Sequence, residues 1–419
     1  MEKEIPVEDL AIGMFVAELD RPWLDTPFLL QGFLIDSAEQ IAELQHYCRH
    51  VHIDPLRSTE TANRLALGRL PSEQNRSNPL PLSWQNDADN IQAPNWNLME
   101  YLDQVSMEAE LPQAREVFAE GELVIADLFE NVRVSGLTDL TRANEVVDSM
   151  VQSVVRNPDA LTLLARIRRK SHYVYAHALN VSIHTLAFGR HMGFPKADLQ
   201  RLGLGGLLLD VGTLRVPNEL LSRRGKLQTA EYRAVQRHVN YGIDLLQHTW
   251  SLSGLELDMV RGHHEREDGS GYPARLVGPQ IPVPAKMAAI VDCFDALTSE
   301  RPYARTHTPY EALQMLYDWG KQTLHGPLVE EFIQCLGIYP VGGLVELNSG
   351  EVGLVIAHNR VRRLKPRMLL LLDQQKKPYR NPITLDLLHA PKLPGEVPYA
   401  IARALEDGMY GLNPQDYYL

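Results

Sequence analysis

Apolar and polar positions alternate differently along successive stretches of the chain. Near the start, Ile5-Pro6-Val7 and Met14-Phe15-Val16 read as short strands separated by a turn at Gly13. Residues 37–48 place Ile41, Leu44 and Tyr47 at helical spacing, and Val51-His52-Ile53-Asp54 returns as a strand. These elements predict a small α+β domain over residues 1–60. Residues 70–97 show little periodicity and are rich in Pro, Ser, Asn and Gln, which predicts a flexible linker spanning 61–98.

Helical spacing resumes at 99–130, with Val117, Phe118, Val124, Ile125 and Leu128, and at 138–156, with Ala143, Val146, Val147, Met150 and Val154. Together these form a helical connector over 99–160. It either packs on the domain that follows or pairs two chains into a homodimer, and packing within one chain is the simpler expectation. From 161 to 336 the pattern is almost wholly helical. Past Gly337, residues 343–347, 352–356 and 368–372 read as three strands of a small sheet, with Asn348-Ser349-Gly350 as a hairpin turn. The tail after Pro394 reads as one short helix and a frayed end. The fold class is therefore mainly α: an all-helical domain flanked by a small N-terminal α+β domain and a small C-terminal β extension over 337–419.

Composition narrows the function classes. The chain has 419 residues, enough for two or three domains, and 44% are hydrophobic, an ordinary globular fraction. The net charge of -12 argues against nonspecific binding to nucleic acid or an anionic membrane, which needs a basic field. Cys48, Cys293 and Cys335 are far apart and odd in number, so neither a disulfide framework nor a thiolate zinc site is expected. With no signal peptide and no run of ~20 apolar residues, the expectation is a cytoplasmic protein without a membrane span.

The chemistry concentrates at a few positions. His263-His264 is followed by Glu265-Arg266-Glu267-Asp268-Gly269-Ser270-Gly271-Tyr272-Pro273, a run hard to explain as core packing. His177, His238, Asp210 and Asp292 lie in helix-like stretches and are oddly polar for their surroundings. A carboxylate in Met287-Ala288-Ala289-Ile290-Val291-Asp292 needs a partner, because burying an unpaired charge costs several kcal/mol or forces its neutralisation. Each residue alone has an ordinary explanation, as a capping aspartate or a hydrogen-bonded histidine. Jointly, imidazoles and carboxylates are the donor set of a divalent first-row metal such as iron or manganese.

The 263–273 run resembles the signature of HD-GYP domains, bacterial metal-dependent phosphodiesterases that open cyclic di-GMP. Residues 1–60, with Gly13-Met14-Phe15-Val16 and Leu19-Asp20-Arg21-Pro22-Trp23, are similar to the domain of unknown function that often precedes them. The resemblance implies that His177 and Asp292 hold one metal ion, that Asp210 bridges it to a second, and that His238 with His263 or His264 completes the second. One or two ions, iron or manganese, are thus expected. Tyr173 fits the two-metal type, since members with a third metal carry a glutamate there. The resemblance further implies that Asp210, His263 and His264 are catalytic and that Arg301, Arg305 and Tyr272 meet the substrate. The loop from Asp268 to Pro273 would dock diguanylate cyclase domains.

Two positions depart from the family pattern. Its His-Asp pair here reads Leu209-Asp210, and the lysine three positions after the aspartate is Thr213. Leucine has no lone pair to donate, and threonine carries no positive charge to the scissile phosphate. The expected function is a cyclic di-GMP phosphodiesterase with weakened activity, yielding pGpG or GMP; the alternative is an inactive cyclic di-GMP sensor or a protein-interaction module.

Overall fold

The structure, a computed structural model, describes residues 3–20, 33–35, 38–53 and 58, and then 98–417 apart from 136–138, 168–172, 222, 224, 226–227, 251, 253, 300–304, 361–362, 391 and 394–396. The linker expected over 61–98 falls outside these residues except at its last position. The chain divides into two compact units, residues 1–82 and 83–419.

In the first unit, β1 (Lys3–Pro6), β2 (Phe15–Leu19), β3 (Phe33–Leu34) and β4 (His50–Ile53) form an antiparallel sheet in the order β1-β4-β2-β3, with helix α1 (Ala38–Tyr47) between β3 and β4. The two-residue period of the strands sends Ile5, Val16, Val51 and Ile53 inward, where they bury with Leu44 of α1.

The second unit is built on helices. α2 (Met107–Ser135) and α3 (Thr141–Arg156) pack against each other and against α4 (Pro158–Ile167), α5 (Tyr173–His191) and α6 (Lys196–Leu207) of the same chain. α2 begins eight residues later than the periodicity suggests. Ser106 stops it, since its hydroxyl accepts from the Ala109 N–H and caps the first turn. Buried Glu110 of α2 receives Ser153 and Arg156 of α3 at 2.7–2.8 Å, which fixes the pair.

α7 (Asn218–Leu221), α8 (Thr229–Gln236), α9 (His238–Asp244), α10 (Leu255–Gly262), α11 (Val283–Thr298), α12 (Pro309–Trp319) and α13 (Gly326–Leu336) follow. α5 and α11 are sheathed on nearly every side, which accounts for their largely apolar sequences. No helix among the described residues is long and apolar enough to cross a membrane.

The C-terminal part forms a five-stranded antiparallel sheet, not three strands. Its order is β8-β7-β6-β5-β9, from β5 (Leu344–Leu347), β6 (Val352–Ala357), β7 (Arg367–Leu372), β8 (Pro378–Asp386) and β9 (Ile401–Leu405). The hairpin at 348–350 forms as expected, with the Gly350 N–H bonding the Leu347 carbonyl. β8 and β9 escaped notice because they are edge strands. β8 carries Pro378 and Pro382, tolerable where one side of a strand needs no ladder bonds. After Pro394 the described residues form strand β9 and short 3₁₀ turns at Met409–Gly411 and Pro414–Tyr417, not the one helix expected.

Candidate metal centre

Four helices and one turn deliver the polar cluster. α5 supplies His177, α9 opens with His238, α10 ends at His263 and His264, and α11 supplies Asp292. Asp210 does not lie in a helix. It occupies the turn between α6 and a 3₁₀ segment, Val211–Arg215. The main chain holds it there, because Gly212 packs directly on the first turn of α9. A Cβ on Gly212 would sit 1.9 Å from the His238 carbonyl oxygen and 2.4 Å from the Gly242 nitrogen.

All six predicted ligands converge. Asp210 Oδ1 stands 3.2 Å from His238 Nε2 and 3.5 Å from His263 Nε2, while Asp210 Oδ2 is 3.4 Å from His177 Nε2. Asp292 Oδ1 lies 3.3 Å from His177 Nε2. Two groups able to hold a cation result, one of Asp210, His238, His263 and His264, the other of His177, Asp210 and Asp292, with Asp210 common to both.

Hydrogen bonds behind the imidazoles set their tautomers. The Nδ1 atoms of His238 and His263 face the carbonyls of Val235 and Val260 at 2.8 and 3.0 Å, and His177 Nδ1 faces Asp295 Oδ2 at 2.7 Å. Each Nδ1 therefore carries the hydrogen, and each Nε2 turns a lone pair toward Asp210. Asp210 Oδ1 is buried without a hydrogen bond. Three acceptors pressed together with no donor among them repel, and a cation resolves the repulsion. The donor set therefore fits a divalent metal.

Electrostatics point the same way. Burial alone would raise the Asp292 carboxyl, yet the imidazoles of His177 and His264 pull it down to about 2. Asp210, also buried, is held well below the usual carboxylate range by His177, His238 and His263. Burial and the neighbouring His263 push His264 well below the ordinary imidazole value and keep it in its neutral, ligating form. Burial pulls His238 down, but Asp210, the Val235 carbonyl and Asp292 together move it above the ordinary imidazole value.

Asp295, one turn beyond Asp292 on α11, was given no role in the sequence. It is 2% exposed and also accepts from Asn180 Nδ2 at 2.7 Å and Ser299 Oγ at 3.1 Å. Its three-residue offset from Asp292 was the available signal, since residues i and i+3 share a helix face.

The loop after His264 is tightly secured. Buried Glu265 accepts the N–H groups of Ala274, Arg275 and Leu276 at 2.7–3.1 Å. Tyr272 stacks on His264, with ring centroids 4.6 Å apart, and its N–H bonds the His264 carbonyl. Tyr232 of α8 meets the Tyr272 ring edge-on at 6.4 Å. Asp268, Ser270 and Pro273 face outward.

The remaining predicted positions fare differently. Arg301 lies outside the described residues. Arg305 is exposed and pairs with Glu311 and Glu406. Leu209 is buried, 2% exposed. Thr213 spends its hydroxyl on the Asp210 carbonyl, and Arg215 turns away to Asp244.

Helices that gather histidines and aspartates around a shared carboxylate define an HD-type metal-centre domain. Residues 159–327 match the HD domain family, and residues 2–143 match a domain of unknown function, DUF3391. The Cyclic di-GMP phosphodiesterase PA4108 of Pseudomonas aeruginosa is 32% identical over 379 residues, covering 90% of this chain and 87% of that protein. The 3'3'-cGAMP-specific phosphodiesterase 1 of Vibrio cholerae is 33% identical over 157 residues, 38% of this chain and 36% of that protein. Among solved structures, Bd1817, a HDG"Y"P protein from Bdellovibrio bacteriovorus, aligns over 79% of this chain and 98% of its own at 15% identity with a TM-score of 0.45. The chain belongs to the HD-GYP family, in the form that carries the DUF3391 domain at its N-terminal end.

Proposed function

We propose that this protein hydrolyses cyclic di-GMP to pGpG or GMP at the cluster around Asp210. The observation that carries the reading is the convergence of two donor groups on one shared carboxylate. The substrate assignment is supported by the relative that matches nearly end to end, the cyclic di-GMP phosphodiesterase of P. aeruginosa. The relatives specific for 3'3'-cGAMP match only a third to two fifths of the chain.

His177 and Asp292 would hold one divalent ion, His238 with His263 or His264 the other, and Asp210 both. Iron and manganese suit this mixture of imidazole and carboxylate. When bound, such a pair supplies Lewis acidity and a water of lowered pKa for attack on phosphorus. The protein's own part is positional. Asp295 and the carbonyls of Val235 and Val260 fix the imidazole tautomers. Tyr272, braced on His264, walls the site where a nucleotide base can stack. Arg301 is the phosphate-binding candidate. Arg305 serves only if it exchanges Glu311 and Glu406 for phosphate oxygens. Leu209 and Thr213 remove one imidazole and one cation from the family's set, so turnover is slow. The outward residues of the Asp268–Pro273 loop form the surface we assign to a diguanylate cyclase partner.

Protein purified anaerobically and loaded with Mn²⁺ or Fe²⁺ should release pGpG from cyclic di-GMP, and Asp210→Asn should abolish the release. Tight cyclic di-GMP binding without any product would replace the enzyme with a sensor. No binding at all would leave only an interaction module.

A further inference from the structure

A second polar cluster lies at the other end of α5, about 20 Å from His177 along the helix axis. It surrounds a cavity of about 40 Å³ walled by α4, α5, α13 and the loop between β6 and β7. That volume admits a few waters or one small oxyanion.

The cavity lining itself carries three arginines, Arg190, Arg360 and Arg363, against one carboxylate, Asp159. Asp159 of α4 takes Arg360 Nη2 at 2.7 Å, and both the N–H and Nδ1 of His358, at 2.8 and 3.2 Å. Asp103 takes Arg190 at 2.8 Å and Arg360 Nε at 3.1 Å. Glu331 is occupied by His191 at 3.0 Å. Two guanidiniums, those of Arg190 and Arg360, thus share two carboxylates, and Arg363 is left over. Among the described residues it makes no ion pair, and its Nη1 is buried without an acceptor. Two further atoms of cavity-lining residues lack hydrogen-bond partners: Nε of Arg190, whose side chain is 7% exposed, and Nε2 of His358, 4% exposed.

The kinds of atoms left over define the ligand. Arg363 and Arg190 offer N–H donors and a net positive charge. His358 Nδ1 faces a carboxylate and so carries the hydrogen, which leaves Nε2 as an acceptor. A ligand that satisfies all three must bear negative oxygens and one hydroxyl. We propose that this cavity binds a protonated oxyanion, with hydrogen phosphate as the fitting species. Its oxygens accept from Arg363 and Arg190, and its P–OH donates to His358 Nε2. Guanidinium groups suit phosphate oxygens by geometry as well as charge. The site depends on neither the metal centre nor phosphodiester cleavage.

The test uses the full chain stripped of metal. Its unfolding temperature is followed against inorganic phosphate, with sodium chloride at matched ionic strength as control. The expected result is a saturable rise, larger than sulfate gives at equal concentration, because sulfate has no proton to donate. Asp210→Asn should keep the rise, and Arg363→Met should weaken phosphate binding at least tenfold. An absent rise, an equal rise in Arg363→Met, a match by sulfate, or a loss in Asp210→Asn would each overturn the proposal. Should Arg363→Met fail to fold, Cys335 in the same cavity gives a second readout. With Cys48 and Cys293 replaced by serine, phosphate should slow alkylation of Cys335 several-fold; an unchanged rate sinks the idea.

Discussion

Asp295 faces Nδ1 of His177 and so decides which nitrogen of that ring carries the hydrogen. Asp295→Asn should lower metal affinity by about 10–100-fold, the usual effect of losing a carboxylate behind a ligating histidine. Titration with Mn²⁺ alone checks this, and an unchanged affinity would make Asp295 merely structural. Position 209 works in the opposite sense. Leu209→His with Thr213→Lys should raise cyclic di-GMP turnover at least tenfold once metal is bound. Without metal, the double variant should be less stable than the parent by about 1–3 kcal/mol, because an imidazole replaces a buried leucine and Thr213 loses its bond to the Asp210 carbonyl. Calorimetry with and without Mn²⁺ separates the two effects, and a double variant as slow as the parent would mean that the deficit lies elsewhere. The candidate ligand cluster was legible in the sequence, because adjacent histidines and acids inside apolar runs are chemically conspicuous. Asp295 was not, because an aspartate near a helix end has too many ordinary uses.

α13 carries a pH-sensitive position of its own. Burial and the neighbouring Glu331 raise the Glu330 carboxyl to about 7. In the unfolded chain a glutamate titrates near ~4.3. Between these values the folded state holds a proton that the unfolded state has released, so stability falls as pH rises through that window and is lowest above 7. Glu330→Gln removes the proton exchange. It should stabilise the protein at pH 8 by about 1–2 kcal/mol, allowing for partial solvent screening, and leave it unchanged near pH 4. Denaturant titrations at the two pH values check this, and an equal effect at both would refute it. Elements differed in how plainly the sequence declared them. α3 shows a clear 3.6-residue stripe. β8 and β9 were hidden because an edge strand needs neither continuous apolar character nor a full set of N–H donors.

At the scale of the molecule, the C-terminal sheet belongs to the helical domain's core. β6 is buried along its whole length and meets α4, which is itself buried nearly throughout. Burial would raise Asp159, but Arg360 and His358 from beyond β6 hold it far below the usual carboxylate range. Ending the chain after Pro340 would expose α4 and leave that carboxylate without either partner, a loss worth about 3–5 kcal/mol before any lost apolar burial. The shortened protein should lose its cooperative unfolding transition, and its cyclic di-GMP turnover with it; a truncated chain that melts like the parent would show the sheet to be an accessory. Sequence pattern placed strands here but could not show what they cover, since covering is a property of pairs of distant segments. The tight seat of Gly212 against α9 carries a consequence for descent. Because backbone contact anchors Asp210, its seat does not depend on whether the preceding side chain is an imidazole. A lineage can shed that imidazole, and through a one-base change in some leucine codons recover it, while the surrounding architecture stays put. Catalytic vigour in such proteins is then adjustable by inheritance at a few neighbouring positions, without renegotiating the fold.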